Sequence, residues 1–382
     1  MRKSLLLSTV ALTVCAFAEQ NFAEEELVAA TKKNSSSPLT PPPSAPSMSS
    51  QVRPGYPTEN PQPTLTSART KSEYGYYLFT DVLYWHADVG NTDWAAKNKN
   101  TTTGLFPIIE EIHQMKFKWD WAFRIGVGMD LTHDEWDTNF YYTWFQTDIS
   151  NSAGTKSNQA VEPLNYYRLD FSVSQGKNYS RIHYSMFDLD LGRWFYISNS
   201  VAFRPHLGLK GGWIHQKSHD FWDQSNPGQT FQQKFKNDFW GIGASGGVNS
   251  EWTLALYKTN AFNVFCDLAG ALLYGRFDVS FEQKFLTGNI ATTVFPVNHL
   301  DRHRVVPMFQ AMVGLGWDTP LYNDRYHLGV KLGYEFQYWF RQVQKVKGVF
   351  PSSTNGVAAN QYSVKAEALA LQGLTLDFRF DY

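Results

Sequence analysis

The chain has 382 residues, a formal charge of −1 at pH 7 and an aromatic content of 16%. So even a charge balance gives no electrostatic bias toward nucleic acid. Beyond Ala18 no apolar run approaches the ~20 residues a spanning helix needs, which excludes helical membrane spans. The 13 Trp, 20 Tyr and 28 Phe are more than a soluble domain usually carries, and suit a protein with aromatic belts at two membrane interfaces.

The N-terminus reads as an export signal over residues 1–18. Arg2 and Lys3 supply the positive end, Leu5 to Val14 the apolar stretch, and Ala16-Phe17-Ala18 an A-x-A cleavage site. Cys15 raises a lipoprotein alternative, but Val14 before it is bulkier than such signals use. With the signal removed, Cys266 is the one cysteine left, so an internal disulfide framework is excluded. Residues 19–73 contain "SSSPLTPPPSAPSMSS" and "RPGYPTENPQPT". A segment so poor in large apolar residues cannot offset its ordering entropy and is expected to be a disordered periplasmic tail. It reads as a spacer, with an arm reaching peptidoglycan or a partner as the alternative.

From residue 74 onward the pattern has period 2, the mark of strands with one apolar and one polar face. In "KFKWDWAFRIGVGMD" (116–130), Phe117, Trp119, Trp121, Phe123, Ile125, Val127 and Met129 oppose Lys116, Lys118, Asp120, Arg124 and Asp130. Further strands are expected at 75–87, 136–148, 182–197, 201–215, 237–252, 261–277, 304–318, 325–341 and 364–382. In 201–215 Val201, Phe203, Leu207, Leu209 and Trp213 face away from Arg204, His206 and Lys210. In 261–277 Cys266 shares the apolar side, as a small hydrophobe, and Asp267 takes the other. In 325–341 the polar side carries His327, Lys331 and Glu335. The closing "GLTLDFRFDY" sets Leu374, Leu376, Phe378, Phe380 and Tyr382 against Thr375, Asp377, Arg379 and Asp381.

The clearest runs are about twice an ordinary strand of ~5–6 residues, whereas a tilted bilayer-spanning strand needs ~9–11. Connections alternate between short ones, after 130, 197, 252 and 318, and long ones at 88–115, 149–181, 216–236, 278–303 and 342–363. Short periplasmic turns and long outer loops belong to outer-membrane barrels. The expectation is an all-β, antiparallel, up-and-down transmembrane barrel over 74–382 with about ten strands. Twelve is the alternative, since "LNYYRLDFSV" (164–173) also alternates.

In such a barrel the apolar lists meet lipid. Asp120, Arg124, Arg204, His206, Lys210, Asp267, His327, Lys331, Glu335, Asp377 and Arg379 line the lumen. Whether the lumen is an open path or filled by its own side chains stays open. Phe123→Arg is expected to block assembly and Arg124→Gln to be tolerated. Phe378, Phe380 and Tyr382 are the expected insertion signal for the barrel assembly machinery. The long connections carry Trp94, Phe106, Tyr166, Tyr167, Tyr179, Phe221, Trp222 and Phe231, placed either for adhesion or folded over the mouth to narrow it. Zincin, nucleophile-elbow and P-loop motifs are absent. In "THDEW" (132–136) and "KSHDFW" (217–222) adjacent His and Asp would point to opposite faces of a strand, which aims a dyad poorly. "GIGASGG" (241–247) reads as strand glycine that relieves crowding.

Several stretches, in order, resemble the Legionella-type major outer-membrane protein family, pore-forming barrels also common in chlamydia-like bacteria. They are "FTDVLYWHAD" (79–88), "WAFRIGVGMDLTHDEWDTNFYYTWF" (121–145), "MFDLDLGRWFYIS" (186–198), "FRPHLGLKGGWIHQK" (203–217), "NDFWGIGASGGVNSEW" (237–252), "LLYGRFDV" (272–279), "YNDRYHLGVKLGYEFQYWF" (322–340) and "LALQGLTLDFRFDY" (369–382). The resemblance implies a porin-like protein of a Gram-negative outer membrane, passing small hydrophilic solutes and ions without a cofactor. It implies no particular pore residues. A surface adhesin or structural protein with a plugged barrel is the alternative, and a barrel-type protease the second. The expected partners are outer-membrane lipid and small solutes, with no nucleic acid; self-association is left open.

Overall fold

The computed structural model describes residues 75–382 except 100–107, 132–134, 155–158, 165–172, 225–228, 258, 289, 294–296, 323–325 and 350–360. The export signal, the Pro/Ser tail, Phe106, Tyr166, Tyr167 and most of the 164–173 segment therefore lie outside the described residues.

Ten long strands form the wall: β1 (Gly75–Val89), β2 (Trp119–Asp130), β3 (Trp136–Gly154), β4 (Val173–Arg193), β5 (Val201–Gln224), β6 (Gln229–Tyr257), β7 (Asn260–Thr287), β8 (Val297–Leu321), β9 (Tyr326–Val349) and β10 (Gln361–Asp381). Each pairs antiparallel with the next, and β10 pairs with β1, so the sheet closes on itself with ten strands. Closure leaves no unpaired wall edge, which is what lets a sheet sit in hydrocarbon. Following paired residues round the ring from Gly75 through Asp130, Asp137, Gly192, His206, Gly247, Ala269, Gln310, Gln337 and Leu371 returns to β1 at Ala87. The strands are therefore staggered, as a tilted barrel requires.

Facing follows the period of 2. On β2, Trp121, Phe123, Ile125 and Val127 are exposed while Ala122, Arg124, Gly126 and Gly128 are buried. Gly126 and Gly128 leave the room that the Phe79 and Tyr77 rings occupy; a Cβ at Gly128 would sit 2.1 Å from the Tyr77 ring. An apolar exterior over a polar interior is the arrangement lipid selects. Two aromatic girdles bound the band. At the end with short turns, Tyr76 stacks on Tyr382 and Tyr326 on Phe380. At the other, Tyr84 contacts Trp119 and Trp121, and Trp144, Trp213 and Trp240 continue the ring. By the rule of short periplasmic turns, the first end is inner and the second outer.

Two expectations need correction. Phe117 does not share the lipid face: β2 begins at Trp119, and Phe117, off the ladder, turns in to join the core while Lys116 and Lys118 are exposed. The long outer connections are also largely wall. β6 runs 29 residues and pairs with β5 out to Thr230 and Asp223, so 216–223 and 230–236 belong to the wall. Apolar alternation stops where lipid stops, but backbone pairing continues and leaves no such mark in the sequence. Short strands Asp93–Lys99, Ile108–Gln114 and Gln159–Pro163 extend the sheet from β4 at this outer end.

Phe123, 44% exposed and stacked on Trp144, gives a direct test of facing. Phe123→Arg should cost about 2–4 kcal/mol in a urea titration of the vesicle-inserted barrel. Unchanged stability would contradict a lipid-facing site.

Candidate functional site in the barrel interior

The interior is layered. The inner half is charged and holds a cavity of about 210 Å³. Its lining carries Asp81, Asp137, Asp188, Asp190, Glu251, Asp267 and Asp377 against Arg124, Arg204, Lys210, Lys331 and Arg379, with His206 among them. Carboxylates therefore outnumber cations.

These charges arrive in pairs because strand alternation aims them inward from neighbouring and facing strands. Arg124 on β2 donates to Asp81 on β1 (2.7 Å), to Glu335 on β9 (2.8 Å) and to the Thr143 hydroxyl (3.0 Å). Glu335, 1% exposed, also accepts from Gln310, Gln337 and Thr375, each at 2.9 Å. Arg204 grips Asp137 through Nε at 2.8 Å to each oxygen, reaches Asp190 through Nη2, and donates to Asn249 at 2.9 Å. Lys210 meets Asp188 at 2.6 Å, and Lys331 meets Glu251. At the inner mouth, Asp381 takes Arg379 at 2.8 Å and the His327 ring at 2.7 Å, while Arg379 lies 3.8 Å above the Tyr77 ring. Side chains held this way are fixed in place, since a buried charge without its partner is costly.

Above this layer lies an apolar one, and buried polar side chains return beyond it, Gln216, Asn237, Gln342 and Gln344 among them. Leu83, Trp85, Phe145, Tyr184, Met186, Ile214, Phe239, Leu273, Phe277, Trp339, Leu369 and Leu371 belong to one buried cluster fed by the strands all around the ring. Contacts cross the lumen: Tyr184 on β4 packs on Trp339 of β9 at 6.0 Å between ring centroids and donates its hydroxyl to Gln337 at 2.9 Å. A bulge in β9 reinforces the closure. The β9–β10 register shifts between Trp339 and Val343, with Arg341 at φ 53°. Bulges re-aim the chain that follows. Gln342 to Val346 are all buried, and Asn237 of β6 donates across to the Gln342 carbonyl at 3.0 Å. In this conformation the charged cavity ends on a buried apolar layer.

The profile of the Legionella pneumophila major outer membrane protein precursor matches residues 70–382. The chain belongs to that family. It is thus a β-barrel protein of a Gram-negative outer membrane. No curated protein sequence matches it significantly. Among solved structures, the outer membrane protease OmpT from Escherichia coli matches at 9% identity, over 83% of this chain and 99% of that one, with a TM-score of 0.34. The Pseudomonas putida toluene transporter TodX matches at 9%, over 84% and 92%, with a TM-score of 0.26. The translocator domain of the autotransporter NalP from Neisseria meningitidis matches at 9%, over 82% and 90%, with a TM-score of 0.29.

In this family member, ten of the eleven residues named from the sequence sit in the charged inner half. Arg124 and Glu335 join one cluster, and Arg379 and His327 share Asp381. Arg204, Lys210 and Lys331 hold separate acids, and His206, Asp267 and Asp377 line the same cavity. Asp120 sits apart, outside the cavity lining, and accepts from the Thr147 hydroxyl. Asp81, Asp137, Asp188, Asp190 and Glu251 were missed, although they obey the same parity; the "FDLDLG" of β4 carries two of them. Phe378, Phe380 and Tyr382 face outward at the inner girdle. Cys266 is a free thiol, half-buried on the wall. His219 and Asp220 take opposite faces, the first half-buried and the second buried, so they form no dyad. Of the outer aromatics, Trp94, Trp222 and Phe231 are buried together, with Trp94 and Trp222 5.2 Å apart, while Tyr179 is exposed. Among the described residues no group of three or more His, Cys, Asp or Glu could hold a metal ion.

Proposed function

We propose that the protein is a gated, weakly cation-preferring pore for small hydrophilic solutes. The observation that carries this reading is the charge-lined cavity of about 210 Å³ ending on the apolar layer. A charged chamber concentrates counter-ions, and an excess of carboxylates favours cations. An apolar constriction blocks ions by excluding water and opens when it is widened. In this reading Phe378, Phe380 and Tyr382 serve as the insertion signal read by the assembly machinery.

The pairing of the interior charges with one another favours a second reading, a barrel filled for rigidity that anchors surface hairpins. Planar-bilayer recording of the purified protein separates the two. Small steps broken by long closures are expected, with a reversal potential displaced toward that of the cation in a salt gradient. Silence at all voltages would remove the pore and leave the anchor.

A further inference from the structure

The outward face of β4, β5 and β6 changes character above the outer tryptophans. Successive outward residues, two apart, read Trp213, His215, Lys217 on β5 and Trp240, Asp238, Lys236, Lys234 on β6. On β4 the order is His183, then Arg181. Lys217 and Lys236 each stand four residues beyond a tryptophan, about 10 Å further out along a strand tilted by ~40°. That is headgroup height if the tryptophans mark the membrane interface.

Arg181 is paired in register with Lys217, and Lys217 with Lys236. Like charges directly opposite on neighbouring strands repel, with Cβ atoms ~4.5–5.5 Å apart. Three cations are thus held side by side against their own repulsion. Asp148 neutralises Arg181 and Asp238 neutralises Lys236. Lys217, in the middle of the row, makes no ion pair with a described residue, and Lys234, one step further out, stands in register with Glu282, whose carboxylate pairs with Lys284. His219, opposite Lys234, does not add to the charge at neutral pH, because burial, and after it the Lys234 ammonium, push its imidazole below the usual range. All four cations line one concavity of about 740 Å³, against two carboxylates, Asp148 and Glu282, already engaged with Arg181 and Lys284.

We propose that this concavity binds the phosphate of an acylated glycolipid in the outer leaflet, with Lys217 and Lys234 as the principal contacts and Arg181 and Lys236 flanking them. The surface below supports that occupant. Leu209, Trp213, Trp240 and Ile242 are exposed on the same strands, so acyl chains lie on the wall while the phosphate reaches the ammonium groups. A soluble anion would gain nothing from that apolar strip. The inference does not depend on whether the lumen conducts.

The test uses the purified full-length barrel in a non-ionic detergent, titrated by native mass spectrometry with a bisphosphorylated, multiply acylated glucosamine disaccharide. Its dephosphorylated counterpart and inorganic phosphate are the comparison probes. The wild-type protein should retain the phosphorylated lipid, and Lys217→Gln with Lys234→Gln should weaken retention roughly tenfold or more. Lys116→Gln with Lys118→Gln, on exposed residues beside β2, should leave it unchanged. Heat-modifiable gel mobility confirms that each variant is folded. Equal retention of the dephosphorylated lipid, or full retention by the Lys217/Lys234 variant, would overturn the site in favour of non-specific apolar contact. Displacement of the lipid by millimolar inorganic phosphate would overturn it in favour of a free-anion site.

Discussion

Replacing Arg124 with glutamine should destabilise the folded barrel by about 3–5 kcal/mol, the cost of breaking a buried ion pair from one side. This reverses the expectation drawn from facing alone, in which a polar residue turned toward water tolerates a polar substitute. The structure puts Arg124 in no such water: it is 7% exposed and Glu335 beneath it 1%. One guanidinium holds two carboxylates on strands separated in the wall by β10, Asp81 at 2.7 Å and Glu335 at 2.8 Å. Glutamine is too short and uncharged, so both anions would be left facing each other in a low-dielectric interior. Urea unfolding followed by tryptophan fluorescence measures the loss. Adding Asp81→Asn and Glu335→Gln should recover most of it, because removing all the charges also removes the desolvation penalty. A single variant as stable as wild type would mean that water reaches this triad.

What was legible in the sequence follows from which solvent wrote the pattern. Lipid tolerates few polar side chains, so "WAFRIGV" and "LTLDFRF" announce their outward face residue by residue, and with it the ten strands. The interior is written by two solvents, and the charged half is legible for that reason: Arg204, Lys210, Lys331 and Asp377 stand out against apolar neighbours. The apolar half hides, because there both faces of a strand are hydrophobic and the alternation vanishes. "YW" at 84–85, "WF" at 144–145, "FW" at 239–240 and "YWF" at 338–340 are the places where this happens. In each, one aromatic is 0–1% exposed inside, Trp85, Phe145, Phe239 and Trp339, while its aromatic neighbour, or in the last case both neighbours, point outward. Doubled aromatics at one level of several strands were the available signal for a closed layer. The bulge at Arg341 had no signal of that kind, since an arginine in the left-handed region follows from the surrounding pairing rather than from its own preference.

If the barrel is a pore, Trp339→Ala should act on stability and conduction together. Trp339 is fully buried, its ring against Tyr184 across the lumen, at the level where the charged cavity stops. Removing an indole from a packed core costs about 3–5 kcal/mol, part of it for the space left behind. That space would adjoin the inner cavity, whose polar wall supplies the partners that water needs. The apolar layer would then lose its widest member, and an apolar constriction that is widened admits water. Single-channel steps should therefore grow and closures shorten, while Trp339→Phe should restore most of the stability and the closed time. The two readouts decide between the readings of the interior. Lower stability with larger steps identifies the Tyr184–Trp339 contact as the barrier in a pore. Lower stability in a barrel that stays silent makes the same contact part of a structural core, and the charged cavity a closed end.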